Sequence, residues 1–235
     1  MQAVILCGGL STRLGSLTKK VPKILLPIGD RAIIDYQIDL LKTASVTEVV
    51  LASGHLHEVI FEHIGHQYKG LKVLYSREHK RLGTGGAIKN AMNYIKSESF
   101  FALNGDILIE GINLYDMRCY YDEIQNKIND KMDGLLLSTF VDDIRDFGEV
   151  ISAPNGKILK FKEKQKQIKT GYINCGVYLF NQSICNYFPA QDTFSLEYDI
   201  FPSVNELFSF QSQAKLIDIG IPERLEYARK EWNVE

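Results

Sequence analysis

Short apolar runs alternate with helical patterns along the first half of the chain. The run at Ala3–Cys7 predicts a buried strand, and three further strands are predicted at Val49–Ala52, Leu71–Tyr75 and Phe100–Leu103. Apolar residues recur at helical spacing between and after them, at Ile34, Ile38 and Leu41, at Val59, Ile60 and Ile64, and at Ile88, Ala91, Met92 and Ile95. Because strands alternate with helices, we expect a mostly parallel sheet, joined by right-handed crossovers and covered on both faces.

The second half has a different pattern. A polar helix is predicted at about 113–128, and strands with short connections are predicted at Leu135–Phe140, Glu149–Ile151, Ile158–Phe161 and Cys175–Phe180. Asn155-Gly156 is a strong hairpin signal, and Pro222 fits the first turn of a last helix with Leu225, Ala228 and Trp232 on one face. The predicted fold class is α/β: a Rossmann-like three-layer α/β/α arrangement with a mostly parallel mixed sheet and a small antiparallel extension.

Composition narrows the function classes. The 235 residues are 45% apolar, and no repeat or linker divides them, so we expect a single domain over 1–235. A net charge of -2 gives no long-range field for nucleic acid or membrane, so any phosphate site must be local. The four cysteines form no CxxC pair, and we expect neither a signal peptide nor a membrane-spanning segment. We therefore expect reduced thiols and a cytoplasmic location.

The glycine-rich segment after the first strand is the first candidate site. It reads Leu6-Cys7-Gly8-Gly9-Leu10-Ser11-Thr12-Arg13-Leu14. In an open α/β sheet, ligands bind outside the carboxyl ends of the strands, and small residues let backbone N–H groups approach phosphate oxygens. Arg13 adds a bidentate phosphate donor. The segment is neither a GxGxxG motif nor a P-loop, and by itself it also fits a tight turn with a surface arginine.

Three more segments contain candidate ligand residues. Lys23, stiffened by Pro22, is suited to hold a phosphate, although alone it also fits a solvated basic stretch. The glycines of Leu82-Gly83-Thr84-Gly85-Gly86-Ala87 indicate either close backbone approach to a flat ligand such as a base or a flexible turn. Asp106, just past the fourth strand, suits Mg²⁺, which takes one or two carboxylates plus phosphate oxygens, or is an ordinary turn residue.

Four histidines, His55, His57, His63 and His66, cluster within twelve residues. Their spacing resembles that of metal ligands, but no cysteine or carboxylate constellation supports a metal there. We interpret them as polar surface residues of a loop and a short helix.

Taken together, the motifs resemble the sugar-1-phosphate nucleotidyltransferase family. That family has GGxGTRL, PK, LGTxGA, GD, FxEK, NxGxY and DIGTP in this order. The corresponding residues here are Gly8 to Leu14, Pro22-Lys23, Leu82 to Ala87, Gly105-Asp106, Phe161-Lys162-Glu163-Lys164, Asn174 to Tyr178 and Asp218-Ile219-Gly220-Ile221-Pro222. The match spans residues 2 to about 228. Two positions depart from the pattern: Ser11 replaces a glycine, so it is strained if that position needs φ > 0, and Ile221 replaces a threonine.

The resemblance implies a direct transfer of a nucleotidyl group from a nucleoside triphosphate to a sugar 1-phosphate, with pyrophosphate as leaving group. It implies a nucleotide-binding half at about 1–110 and a sugar-phosphate-binding half at about 111–235. It also implies that Arg13, Lys23 and Asp106 are catalytic and that Asp106 and Asp218 hold Mg²⁺. The implied nucleotide contacts are Leu6, Gly8, Gly9, Ser11, Thr12, Arg13, Lys23, Glu78, Gly83, Thr84 and Gly86. The implied sugar-phosphate contacts are Gly148, Glu163, Lys164, Asn174 and Glu197.

LGTGGAI together with LNGD looks most like the guanylyltransferases that act on D-glycero-D-manno-heptose 1-phosphate. A carboxylate at Glu78 would accept from both N1–H and N2–H₂ of guanine, whereas uracil offers one N–H donor, so GTP is favoured over UTP. A UTP- or CTP-dependent transferase is the alternative. The sugar is a heptose or hexose 1-phosphate, and the sequence leaves a homo-oligomer open.

Two other functions fit the sequence less well. A non-catalytic nucleotide-sugar sensor would be expected to lose the aspartates or Arg13, and this chain keeps them. A glycosyltransferase would need a DxD metal motif after a strand, and Asp142-Asp143 does not supply one.

Overall fold

Strands and helices follow one another largely as the hydrophobic pattern predicts, within residues 1–128, 131–162 and 168–232, which the computed structural model describes. The strands are β1 (Gln2–Leu6), β2 (Pro27–Ile28), β3 (Arg31–Ala32), β4 (Glu48–Ser53), β5 (Gln67–Tyr68), β6 (Leu71–Arg77), β7 (Ser99–Asn104), β8 (Ile107–Glu110), β9 (Gly134–Val141), β10 (Glu149–Ser152), β11 (Ile158–Lys162), β12 (Gly171–Asn181), β13 (Leu207–Ser212) and β14 (Lys215–Asp218). The α-helices are α1 (Ile33–Thr43), α2 (His57–Ile64), α3 (Gly83–Ala91), α4 (Leu114–Lys127) and α5 (Pro222–Glu231).

Strand β1 lies between β4 and β7 and is parallel to both. Because β6 continues in parallel beyond β4, the order of this part of the sheet is β6-β4-β1-β7. After β1, the chain adds β4 and β6 on one side of β1 and later adds β7 on the other side. This is a topological switch point, and ligands of open α/β sheets bind at the carboxyl ends of the two strands that flank it.

An antiparallel extension follows β7. The long strand β12 pairs antiparallel with β7 along one edge and with β9 along the other, and β13 then joins β9 in parallel. Strands β10 and β11 pair antiparallel across the turn at Asn155-Gly156, as predicted, and β10 also joins β12. One mixed sheet therefore runs through both halves of the chain, which confirms the predicted fold class.

Both faces of the sheet are buried at its central strand β1. Ala3 and Ile5 of β1 belong to one core cluster, together with residues of α1, α2 and α4. Val4, which points to the opposite face, belongs to a second cluster with residues of α3. All three side chains are fully buried, so the apolar run predicted as a buried strand has helices on both of its sides.

The structure differs from the sequence prediction in two places near the end of β1. Helix α3 begins at Gly83, inside the segment predicted as a loop. The two-stranded β8–β14 pair was not predicted, and it places Asp218 opposite Ile107. No helix among the described residues combines the length and apolar character needed to cross a membrane.

Candidate active site

A cavity of about 260 Å³ opens at the carboxyl ends of β1 and β7. The residues with implied roles that line it are Leu6, Gly8, Gly9, Ser11, Lys23, Glu78, Gly83, Thr84 and Asp106. The other lining residues are Cys7, Ile24, Arg81, Leu82, Ala87, Asn104 and Gly105. The cavity therefore lies at the switch point of the sheet and gathers residues from segments that are up to 100 positions apart in the sequence.

The glycine-rich loop turns into a 3₁₀ helix at Thr12–Thr18. Ser11, just before it, has φ 52° and ψ 35°, which is the left-handed region that glycine occupies without cost. Its carbonyl accepts hydrogen bonds from the Leu14 N–H at 3.0 Å and the Thr18 hydroxyl at 3.1 Å, and these hold the turn. The positive φ anticipated for this position is therefore present. Thr12 and Arg13 are exposed and do not line the cavity.

Lys23 and Asp106 form an ion pair across the cavity. Lys23 Nζ lies 2.8 Å from Asp106 Oδ2, and the two side chains are 16% and 30% exposed. Lys23 is therefore not part of a solvated basic stretch. Its ammonium group lies where a phosphate near Asp106 would also be within reach.

Asp218 joins this pair through the backbone. The Ile219 N–H donates to the Asp106 carbonyl at 3.0 Å, next to the β8–β14 pairing. Burial raises the pKa of Asp218, and the negative charge of Asp106 raises it further. One Asp218 oxygen accepts from the Gly220 N–H at 2.7 Å, and the other faces Arg224 at 3.3 Å. The two aspartates are therefore close enough for their charges to interact.

These carboxylates have the chemistry of a Mg²⁺ site. Two hard oxygen ligands with mutually repelling charges suit a divalent cation that completes its shell with phosphate oxygens and water. No cluster of three or more potential metal ligands occurs among the described residues. The Arg13 guanidinium also approaches this point, because a Cβ on Gly220 would lie 3.2 Å from Arg13 Nη2.

Glu78 is half-buried against the glycine-rich loop. A Cβ built on Gly8 would overlap Glu78 Oε1 and lie 2.8 Å from its Cδ, so only glycine leaves room for this carboxylate. Burial raises the pKa of Glu78 to about 7, against a smaller opposing effect of a hydrogen bond from the Leu82 backbone. The carboxylate thus faces the cavity from a position where ionisation is costly.

The glycines at the start of α3 are explained by packing on residues 192–194. A Cβ on Gly83 would lie 2.5 Å from the Phe194 carbonyl oxygen, and one on Gly86 would overlap the Asp192 carbonyl oxygen. The Phe194 carbonyl accepts from the N–H groups of Gly85 at 3.1 Å and Gly86 at 3.2 Å. It therefore caps the helix, and these two N–H groups are already paired. Gly83 lines the cavity, whereas Gly86 does not.

Residues of the second half form one chain of hydrogen bonds. Gly148 accepts from the Asn174 N–H at 2.9 Å, and the Asn174 side chain donates to the Tyr178 hydroxyl at 2.8 Å. The Tyr178 hydroxyl approaches Glu197 at 3.4 Å, and Glu197 accepts from Thr84 at 2.6 Å. This chain connects three of the implied sugar-phosphate residues with the nucleotide cavity. Glu163 and Lys164 lie outside the described residues.

Three residues near the cavity were not assigned from the sequence. Tyr178 is fully buried and links Asn174 to Glu197. Asn104 has a buried Oδ1 without a partner among the described residues, and its amide lies against Gly176, where a Cβ would be 2.6 Å from Nδ2. Arg81 lines the cavity from within a charged run. The motifs contained Asn104 and Tyr178, but only the pairing of β12 with β7 brings them to the site.

Two known proteins of similar sequence are heptose 1-phosphate guanylyltransferases. D-glycero-alpha-D-manno-heptose 1-phosphate guanylyltransferase of Campylobacter jejuni is 36% identical over 228 residues, which cover 95% of this chain and 96% of that protein. The enzyme of the same name from Aneurinibacillus thermoaerophilus is 34% identical, with 98% of both chains covered.

The fold agrees with that of a solved relative. The crystal structure of HddC from Yersinia pseudotuberculosis has a TM-score of 0.81 at 30% identity, with 99% of both chains covered. A second structure of that protein, complexed with GMP-PN, has a TM-score of 0.79. The family model described as nucleotidyl transferase matches residues 2–219, and with this match over nearly the whole chain the protein belongs to the nucleotidyl transferase family.

Proposed function

We propose that this enzyme condenses GTP with a heptose 1-phosphate to give a GDP-activated sugar and pyrophosphate. The half-buried carboxylate of Glu78, set against Gly8 in the cavity, is the observation on which the choice of base rests. An ionised carboxylate accepts two hydrogen bonds from guanine N1–H and N2–H₂, whereas the Watson–Crick edge of uracil offers one N–H between two carbonyls. The relatives of 34–36% identity, which are heptose 1-phosphate guanylyltransferases, support both GTP and the heptose.

The proposed reaction is one in-line displacement. A phosphate oxygen of the sugar 1-phosphate attacks the α-phosphorus of GTP, the bond from that phosphorus to the bridging β-phosphate oxygen breaks, and pyrophosphate leaves with the electron pair. A phosphate dianion needs no general base for this attack, so positioning and charge neutralisation are the main requirements. Lys23, which lies beside Asp106, would neutralise the α-phosphate, and the exposed Arg13 would hold the leaving β- and γ-phosphates.

Asp106 and Asp218 would hold Mg²⁺. When bound, the ion would neutralise charge on the reacting phosphates. The Lys23–Asp106 ion pair holds the ammonium group beside this proposed site, within reach of a phosphate there.

The sugar 1-phosphate would bind at the second half, on Gly148, Asn174 and Glu197, with Glu163 and Lys164 as further proposed contacts. The hydrogen-bonded chain from Gly148 to Glu197 supports this assignment, since it places their polar groups next to the nucleotide cavity. We place the reaction in the cytoplasm, because all four cysteines are free thiols.

A substrate matrix tests the proposal. The purified protein is assayed with GTP, ATP, UTP and CTP against heptose 1-phosphate, mannose 1-phosphate and glucose 1-phosphate, with Mg²⁺ and pyrophosphate release as readout. We expect the highest kcat/KM for GTP with the heptose 1-phosphate. Turnover with UTP or CTP but not GTP would overturn the choice of base. Nucleotide-sugar binding without pyrophosphate release from any pair would indicate a non-catalytic binding module.

A further inference from the structure

Thr84 lies on the nucleotide side of the cavity, but its hydroxyl is directed to a residue of the other half. Its Oγ1 donates to Glu197 Oε2 at 2.6 Å and accepts from the Leu196 N–H at 2.9 Å. A hydroxyl can donate one hydrogen bond, and here Glu197 accepts it. A nucleotide phosphate therefore cannot receive a hydrogen bond from Thr84 unless this contact breaks.

The two oxygens of Glu197 have different surroundings. Oε2 accepts from both Thr84 and Ser195, each at 2.6 Å, while Oε1 has a long contact of 3.4 Å with the Tyr178 hydroxyl. Ser195 Oγ also caps the π-helical turn Leu196–Ile200 by accepting from the N–H groups of Glu197 and Tyr198. The carboxylate is therefore fixed through Oε2, and Oε1 keeps accepting capacity on the side of Tyr178.

We propose that Thr84 is a positioning residue for the sugar 1-phosphate: it orients Glu197 so that Oε1 accepts from a sugar hydroxyl. This inference rests on the proposed function, in which Glu197 contacts the sugar. It assigns Thr84 to binding of the sugar 1-phosphate instead of to binding of the nucleotide. It also gives the start of α3 a part in binding the second substrate.

The geometry explains why a hydroxyl is needed at residue 84. The turn that contains Glu197 is short, and its Leu196 N–H has Thr84 Oγ1 as its acceptor. Valine has nearly the shape of threonine but would leave both the Leu196 N–H and Glu197 Oε2 without this partner. Serine keeps the hydroxyl and loses one methyl group.

The test measures both KM values for Thr84→Val, Thr84→Ser and a control. We expect Thr84→Val to raise KM for the sugar 1-phosphate about 10- to 100-fold, because the variant loses the hydrogen bond to the charged Glu197 carboxylate. KM for GTP should stay within about twofold of wild type, because GTP accepts no hydrogen bond from the Thr84 hydroxyl. Thr84→Ser should restore most of the sugar affinity.

Thr43 offers a matched control. Its hydroxyl also donates once, to the Leu40 carbonyl at 2.7 Å, and accepts once, from the Leu114 N–H at 3.0 Å. Thr43 does not line the cavity. Thr43→Val likewise removes one donated and one accepted hydrogen bond, although its acceptor is a backbone carbonyl rather than a carboxylate, and should leave both KM values unchanged. It therefore separates the general effect of losing a threonine hydroxyl from positioning.

A double variant tests whether Thr84 acts through Glu197. In a Glu197→Gln background, Thr84→Val should raise the sugar KM much less than in the wild type, because the group it orients is already altered. Additive effects would overturn the inference, as would equal increases in both KM values or no rescue by serine. The KM values are measured with whichever pair the wild type turns over, so a wrong base or sugar contradicts the proposed function alone.

Discussion

The carboxylate of Glu78 occupies the space that a side chain at Gly8 would need: a Cβ there would lie 2.8 Å from Glu78 Cδ. Gly8→Ala should therefore displace the carboxylate and raise KM for GTP about tenfold, which corresponds to about 1.4 kcal/mol. The end of a glutamate side chain moves easily, so the melting temperature should change little. An unchanged KM for GTP in Gly8→Ala would count against Glu78 as the base contact.

The pH dependence of GTP binding provides a second test of Glu78. Its pKa is raised to about 7, so the group loses its charge as pH falls through 7. Only the ionised form offers two acceptors to guanine, so KM for GTP should rise towards about tenfold per pH unit below the pKa. Glu78→Gln should bind GTP more weakly and remove this dependence. A KM that instead rises above pH 8 would contradict the assignment.

Asp106 is expected to be essential for turnover but not for folding. Asp106→Asn removes a charge from the proposed Mg²⁺ site and from the Lys23 ion pair, and should lower kcat at least about 100-fold. Circular dichroism should show an unchanged fold, and a Mg²⁺ titration should show weaker activation. Asp122→Asn, an exposed change on α4, should retain full turnover. Wild-type kcat in Asp106→Asn would remove this residue from the metal site.

The glycines of α3 make a prediction about stability. By helix propensity alone, Gly86→Ala would stabilise the protein by up to about 1 kcal/mol. The overlap of its Cβ with the Asp192 carbonyl oxygen, which the backbone cannot easily relieve, predicts the opposite. We expect a loss of about 1–3 kcal/mol, seen as a melting temperature lower by several degrees. A higher melting temperature would show that residues 192–194 can move away from the helix.

Local patterns were sufficient for the central layers of the fold. The apolar runs of β1, β4 and β7 lack polar positions because both faces of these strands are covered, and this signal needs no knowledge of the neighbours. Strand β6 is different, because Lys72 within it is exposed. The meeting of Asp106 and Asp218 could be expected from the family motifs. Nothing in the composition of β14 indicated its partner, because β8 lies more than 100 residues earlier.

The interpretation of residues 82–87 shows where local reasoning failed. Three glycines in four positions favour a loop by propensity, yet α3 begins at Gly83. Tertiary contacts explain the difference. Residues 192–194 come too close for a Cβ at Gly83, Gly85 or Gly86, and the Phe194 carbonyl caps the helix. The role of Thr84 was hidden for the same reason, since its partner Glu197 lies 113 residues away.

The docking of residues 192–194 on α3 has a consequence for how the enzyme is made. While the chain is still being translated, the strands that carry the glycine-rich loop and Asp106 leave the ribosome long before Phe194. Until then the first turn of α3 lacks its cap, and Asp218 comes later still. We therefore expect a nascent chain to acquire its substrate cavity only near the end of synthesis, as a late event that depends on residues more than 100 positions downstream.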